Sequence, residues 1–256
     1  MRLCRLVMVF AVICLLVSPS FTQAAPSVLV YDDNTAHQRA QNAITSLGIA
    51  YTRATGSTFS GLLTSQSWDL VVVDCPSNTP GDWLPLINYV QGGGRALMSF
   101  WDLDNDTGYG NPALPGAFDV SVSASFGTPQ TVYLWSSSHP VFQAPNAIGN
   151  LTSWTDEWAD DGDRLALVPL RGASALAGYT ATATEGQAAI VLGNSGRTIY
   201  NGFLWDELND PAGRSLIANE AAFLLGSVPE PSSILSLLCG LGGLGSLMWR
   251  RARKTA

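Results

Sequence analysis

Residues 70–101, LVVVDCPSNTPGDWLPLINYVQGGGRALMSFW, contain a strand, a helix and a second strand in succession. Leu70 to Asp74 is a continuous apolar run closing on a carboxylate, the pattern of a strand buried on both faces of a parallel sheet. Asp82 to Gln91 reads as a helix with Pro85 in its first turn, where a missing amide is tolerated, and Gly92-Gly93-Gly94 stops it. Arg95 to Trp101 is the next strand. A crossover of helix length lets the two strands lie parallel, so the stretch is a βαβ unit.

The same alternation extends toward the N-terminus. Ser27 to Tyr31 (SVLVY) is a short apolar run ending in Asp32-Asp33, and Thr35 to Leu47 places Ala36, Ala40, Ala43, Ile44 and Leu47 on one helical face before Gly48. A short segment around Tyr51 follows. Beyond residue 130 the chain is richer in strand: 131–135, 164–168, 175–181, 188–192 and 198–204 are candidates, the last two joined as a hairpin by Asn194-Ser195-Gly196. Asp210 caps a closing helix with Pro211 at its first position, Ile217, Ala221 and Leu224 inward and Gly226 at its end. Residues 102–130, dense in Gly, Pro, Asn and Asp, read as a long loop or insertion. The expected fold is α/β, with a doubly wound, mostly parallel sheet and some antiparallel hairpin strands.

Composition limits the function classes. Of 256 residues only 13% are charged, the net charge is −7, and the body carries seven arginines and no lysine, so nucleic acid is excluded as a partner. Met1 to Arg5 is basic, Leu6 to Val17 is apolar without a charge, and SPSFTQAA follows. Twelve helical residues rise about 18 Å, short of a hydrocarbon core of about 30 Å, so residues 1–24 read as a secretory signal peptide with its helix, cleaved after Ala24. Cys4 and Cys14 fall in that segment and Cys239 in the C-terminal tail, which leaves the 25–227 extracytoplasmic body with Cys75 alone and no internal disulfide.

At the other end, Ser232 to Trp249 is uncharged and about 27 Å long as a helix, and Arg250, Arg251, Arg253 and Lys254 follow it. This predicts a transmembrane helix over 232–249 whose basic end, residues 250–254, stays cytoplasmic while the body lies outside. Val228, Pro229, Glu230 and Pro231 stand just before it as a stiff extended stub that can join neither helix. The order of VPEP, a glycine-containing span and a terminal arginine cluster over 228–254 resembles the PEP-CTERM sorting signal of bacterial surface proteins. That resemblance implies recognition by an exosortase, cleavage near Pro229, Glu230 and Pro231, passage through the inner membrane to the surface or matrix, and an association with exopolysaccharide and biofilm.

The body also carries a resemblance. The order from LVVVD through GGGRALMSFWD to GRTIYNGFLWDE and AAFLLG, spanning about residues 27–226, resembles the class I glutamine amidotransferase-like fold. Amidotransferases of that family carry a nucleophilic cysteine on the turn after the strand matched by RALMSFW, and a downstream His-x-Glu. Here the turn holds Phe100 and Trp101, and His139 is followed by Pro140-Val141. Without a thiolate or a positioned base, acyl transfer of that kind has no agents, and no catalytic residue or cofactor is assigned. Cys75 reads as a small buried hydrophobe, and His37 and His139 as surface or capping residues.

Carboxylates remain. In open α/β sheets ligands sit beyond the carboxyl ends of the strands, where Asp32, Asp33, Asp74, Asn78, Trp101 and Asp102 stand. Carboxylates accept sugar hydroxyl bonds and an indole stacks on a sugar's apolar face, so the expectation is a glycan-binding crevice on a non-catalytic module, its partner an extracellular polysaccharide. Trp154 and Trp158, at helical i,i+4 spacing, could extend it or pack in the core. A carboxylate-pair hydrolase, using residues such as Asp32 and Asp102, is the enzymatic alternative. A calcium-stabilised component is a third, with Asp102, Asp104 and Asp106 as the alternating ligands; Thr107 and Ala113 stand where an EF-hand needs Gly and Glu. A second acidic run, Asp156, Glu157, Asp160, Asp161 and Asp163, reads as solvated surface.

Overall fold

A computed structural model describes residues 25–33, 37–155, 157–158, 162–167, 172–209 and 211–226. The signal segment, the sorting stub, the 232–249 helix, the basic tail and Asp210 all lie outside the described residues. Among the described residues no helix is long and apolar enough to cross a membrane.

Strand β1 (Val28–Asp32) lies between β2 (Tyr51–Ala54) and β3 (Leu70–Cys75), both parallel to it. β4 (Ala96–Phe100) pairs parallel with β3, and β10 (Thr198–Asn201) parallel with β4. The sheet then turns antiparallel through β9 (Ala188–Gly193), β7 (Gly162–Leu167) and β5 (Val120–Phe126), while β8 (Ser174–Gly178) pairs with β9 and with the short β6 (Tyr133–Leu134). The order β2-β1-β3-β4-β10-β9-β7-β5 is a doubly wound parallel half continued by an antiparallel half.

Helices cover both faces of the parallel half, which is why all five residues of β1 and all six of β3 are buried. Side chains alternate across a strand. Val28, Val30, Leu70 and Val72 therefore pack with α1 (Arg39–Ser46) and α5 (Ala212–Leu224) in one cluster. Leu29, Tyr31, Val71 and Val73 pack with α2 (Phe59–Ser65) and α3 (Leu84–Gln91) in the other.

Three expectations are corrected. Residues 102–130 are not a continuous loop: they hold α4 (Leu114–Ala117) and the seven-residue edge strand β5. In β5 the outward positions are Ser121, Ser123 and Ser125, so the strand looks like a loop in composition although it alternates in burial and pairs with β7 over a long sequence separation. The first helix begins at Arg39, after Gln38 in the left-handed region at φ 50°, and so is shorter than the 35–47 expectation. Trp154 and Trp158 do not share a helix; Trp154 bridges to Leu208 and meets Phe203 edge to face with ring centroids 5.4 Å apart. The structure adds α2, which has no clear signal in the sequence: Thr58-Phe59-Ser60-Gly61 has the composition of a turn, and Phe59 and Leu63 form the helix by burying into the sheet.

The Asn194-Ser195-Gly196 hairpin forms as expected. Asn194 and Ser195 adopt φ 51° and 56°, the pair of left-handed residues that a type I′ turn needs, and the Gly196 and Arg197 amides close on Gly193 O.

Candidate functional site

The carboxyl ends of β1, β3, β4 and β10 converge, and the residues that follow each strand build the site. Asp32 closes β1 with Asp33 behind it, Asp74 and Cys75 close β3, Trp101 and Asp102 follow β4, and the 3-10 turn Trp205–Glu207 follows β10. Trp101 donates its indole N–H to Ser77 O at 2.8 Å, and Ser77 Oγ donates to Asp33 Oδ2 at 3.4 Å, so Trp101, Ser77 and Asp33 form one continuous wall. The carbonyl of Asn78 accepts from Tyr31 Oη (2.9 Å) and from the Cys75 thiol (2.8 Å), which locks the turn after β3 while Asn78 itself is exposed to solvent.

Electrostatically the site is acidic underneath. Asp74 is fully buried, neither of its oxygens makes a well-formed hydrogen bond, and the Ala40 amide gives it only weak relief. Burial first, then the neighbouring Asp206, Asp32 and Asp33, push its carboxyl well above the usual range. Half-buried Asp33 is pushed up to about 7 mainly by burial, against hydrogen bonds from the Asn78 amide and Ser77. Arg39 brings a cation to this group: its Nη2 donates to Asp206 O at 3.5 Å and its Nε stands 3.9 Å from Asp206 Oδ1. The Gln41 amide, in the first turn of α1, donates to Asp32 Oδ2 at 3.4 Å. Burial and these carboxylates also raise the Cys75 thiol, so at neutral pH it is a protonated donor.

Of the six residues expected in the crevice, Asp32, Asp33, Asp74, Asn78 and Trp101 meet around the β1–β3 end, and Asp102 points elsewhere. Its carboxylate accepts the amides of Thr107 (3.2 Å), Tyr109 (2.8 Å) and Gly110 (2.6 Å), which folds the 102–110 loop back on itself. Gly110 is required there, because a Cβ would collide with the Asp102 carbonyl oxygen. The loop delivers Tyr109, 61% exposed, onto Trp101 with ring centroids 5.8 Å apart. Asp102, Asp104 and Asp106 do converge, with one oxygen from each lying within 4.8 Å of the others. Asp102 is already engaged by its three amides, and Asp104 accepts from Ser125 Oγ at 2.6 Å and from the Asp106 amide.

His139 stands away from the crevice. His139 Nδ1 accepts the Val141 amide at the start of a 3-10 turn and stacks on Phe223 at 5.0 Å, in the last turn of α5 and so toward the amino ends of the strands. His37 pairs with Glu157 at 2.9 Å. Sequence reasoning missed Asp206, Arg39 and Tyr109. Asp206 carried a signal, since it follows the parallel strand β10 just as Asp33 and Trp101 follow theirs; Arg39 and Tyr109 carried none, because only the closing of α1 and of the 102–110 loop brings them in.

This arrangement is a doubly wound α/β fold that other solved proteins share. The chain superposes on a candidate ThuA-like protein from Bacteroides uniformis (TM-score 0.53, 14% identity, 82% of this chain and 96% of that one). It also superposes on a candidate GMP synthase component from Thermoplasma acidophilum (TM-score 0.52, 12% identity, 80% and 96%). At these identities the likeness concerns the fold alone. No curated protein matches the chain by sequence. Residues 227–254 match the PEP-CTERM protein-sorting motif. The body thus shares the fold of these two structures, and residues 227–254 carry a PEP-CTERM protein-sorting motif, which implies export and processing by an exosortase.

Proposed function

We propose that this protein is exported by its 1–24 signal peptide, held by the 232–249 helix with its basic end inside, and released to the cell surface or matrix by exosortase cleavage within Val228–Pro231. Its body is a non-catalytic module that binds extracellular polysaccharide at the carboxyl end of the parallel sheet. The observation that carries the binding reading is the Trp101–Tyr109 pair, an aromatic surface bordered by the Asp33 carboxyl and by Asn78, where the related catalytic fold would place a nucleophile. Aromatic faces stack on the apolar face of a sugar while carboxylates and amides accept and donate hydroxyl bonds. The Trp101 indole N–H is already bonded to Ser77 O, which holds the ring in place for stacking.

Tryptophan fluorescence titration of the full chain in detergent, with soluble polysaccharide, tests this. Trp101→Ala should weaken binding about tenfold or more while the melting temperature stays within a few degrees. Equal binding by the variant would remove the crevice from the reading. Intact mass of the protein from its own host tests the sorting half: both termini should be trimmed, and replacing Pro229, Glu230 and Pro231 by alanine should leave the tail attached. A hydrolase remains the second reading because Asp33, pushed up to about 7 beside Asp32, has the protonation behaviour of a general acid. Release of reducing ends by the wild type, lost in Asp33→Asn, would favour it.

A further inference from the structure

Four carboxyl groups, Asp32, Asp33, Asp74 and Asp206, crowd beneath the Trp101–Tyr109 surface, with the guanidinium of Arg39 against Asp206. Asp74 is wholly buried with no well-formed hydrogen bond to either oxygen, so its desolvation is left largely uncompensated. Asp33 is the member of this group that stays half-buried, and it joins the aromatic surface through Ser77. The loop that presents Tyr109 adds Asp104 and the exposed Asp106, and the acidic Asp82 lies next to Trp83, whose indole N–H donates to Tyr109 O at 3.0 Å. A ligand resting here meets carboxyl groups on its polar side and an aromatic face on the other.

Resting on the reading of the body as a polysaccharide-binding module, we infer that the ligand is an amino-bearing, cationic glycan, with an ammonium group over Asp33 and a sugar face on Trp101 and Tyr109. A uronate polymer would bring carboxylates against Asp33 and Asp106, opposing their ionisation and forming no charge pair. A neutral glycan gains the stacking but brings no cation to Asp33. An amino sugar gains both, and the aromatic pair strengthens the hold on its ammonium through the ring quadrupole. Because a cation at Asp33 favours the ionised carboxyl, binding near pH 6 releases a proton.

Isothermal titration of the full chain in detergent, with glucosamine hexamer, cellohexaose and galacturonate hexamer at low salt and near pH 6, tests the assignment. The glucosamine hexamer should bind about tenfold more tightly than cellohexaose, with proton uptake by the buffer, and about 0.5 M salt should close that gap. Asp33→Asn should abolish the preference and the proton release, bringing the glucosamine hexamer down to the affinity of cellohexaose for the same variant. Should Asp33→Asn fail to fold, Asp106→Asn at the exposed rim should narrow the preference. Galacturonate binding as tightly as glucosamine, or a preference that survives Asp33→Asn, would overturn the inference and leave the glycan reading standing. Failure of all three hexamers to bind would overturn the glycan reading itself. Stabilisation by calcium chloride with no response to glucosamine would reassign the carboxyls to a metal ion and equally overturn it.

Discussion

Glu220 shows how one side chain can be read only with its partner in view. It is buried in α5, and Asn201 Nδ2 donates to its Oε2 at 2.9 Å, while Glu220 Oε1 and Asn201 Oδ1, both acceptors, are buried without a partner. Burial pushes the carboxyl up to about 8. A protonated Glu220 turns Oε1 into a donor that Asn201 Oδ1 can accept, so one proton satisfies both orphaned atoms. A carboxyl whose folded pKa is raised stabilises most fully below its unfolded pKa and loses that stability as pH rises through the folded value. Glu220→Gln, whose amide donates permanently, should therefore match the wild type near pH 5 and exceed it near pH 8 by roughly 2–5 kcal/mol in urea melts. An unchanged difference between the two pH values would rule out a titrating Glu220.

At the scale of elements, the β9–β10 hairpin joins the antiparallel half of the sheet to the parallel half. Asn194 holds it in place: its side chain donates to Ala117 O (2.7 Å) and Thr198 Oγ1 (3.0 Å), and its amide donates to Asp119 Oδ2 at 2.7 Å. Asn194→Ala loses both side-chain bonds and places alanine at φ 51°, a cost of about 2–4 kcal/mol measurable by denaturant unfolding. Asn194→Gly keeps the backbone and should cost less than alanine; a larger loss for glycine would place the energy in chain entropy instead. This turn was legible because Asn-Ser-Gly between two apolar runs is a local signal. β5 was not legible, since its alternating serines acquire meaning only opposite β7, and α2 was not, since its helix rests on burial of Phe59 and Leu63 more than on its own propensities.

Across the whole molecule the raised carboxyls act together. Asp33 (to about 7), Asp74 (upward) and Glu220 (to about 8) all bind protons more tightly folded than unfolded. Between about pH 4 and pH 8 the folded chain thus holds more protons, and stability falls as pH rises. The melting temperature should be higher at pH 5 than at pH 8; the reverse order would show that these carboxyls are ionised in the fold. A mildly acidic optimum suits a domain whose solvated Asp and Glu side chains already repel one another at higher pH.

The C-terminal sorting motif and the βαβ order of the body were legible in the sequence, because Pro-Glu-Pro stiffness and strand–helix alternation are properties of neighbouring residues. The placing of carboxylates at the ends of β1 and β3 and of a tryptophan after β4 was legible too. The tertiary structure alone turned Asp102 inward to brace its own loop, set Tyr109 on Trp101 and brought Asp206 and Arg39 to Asp74. Arg39, Asp74 and Asp206 stand tens to more than a hundred positions apart, and partners at that separation are chosen by how the elements pack, while the short-range contacts of Asp102 and Tyr109 depend on a loop conformation that composition does not dictate.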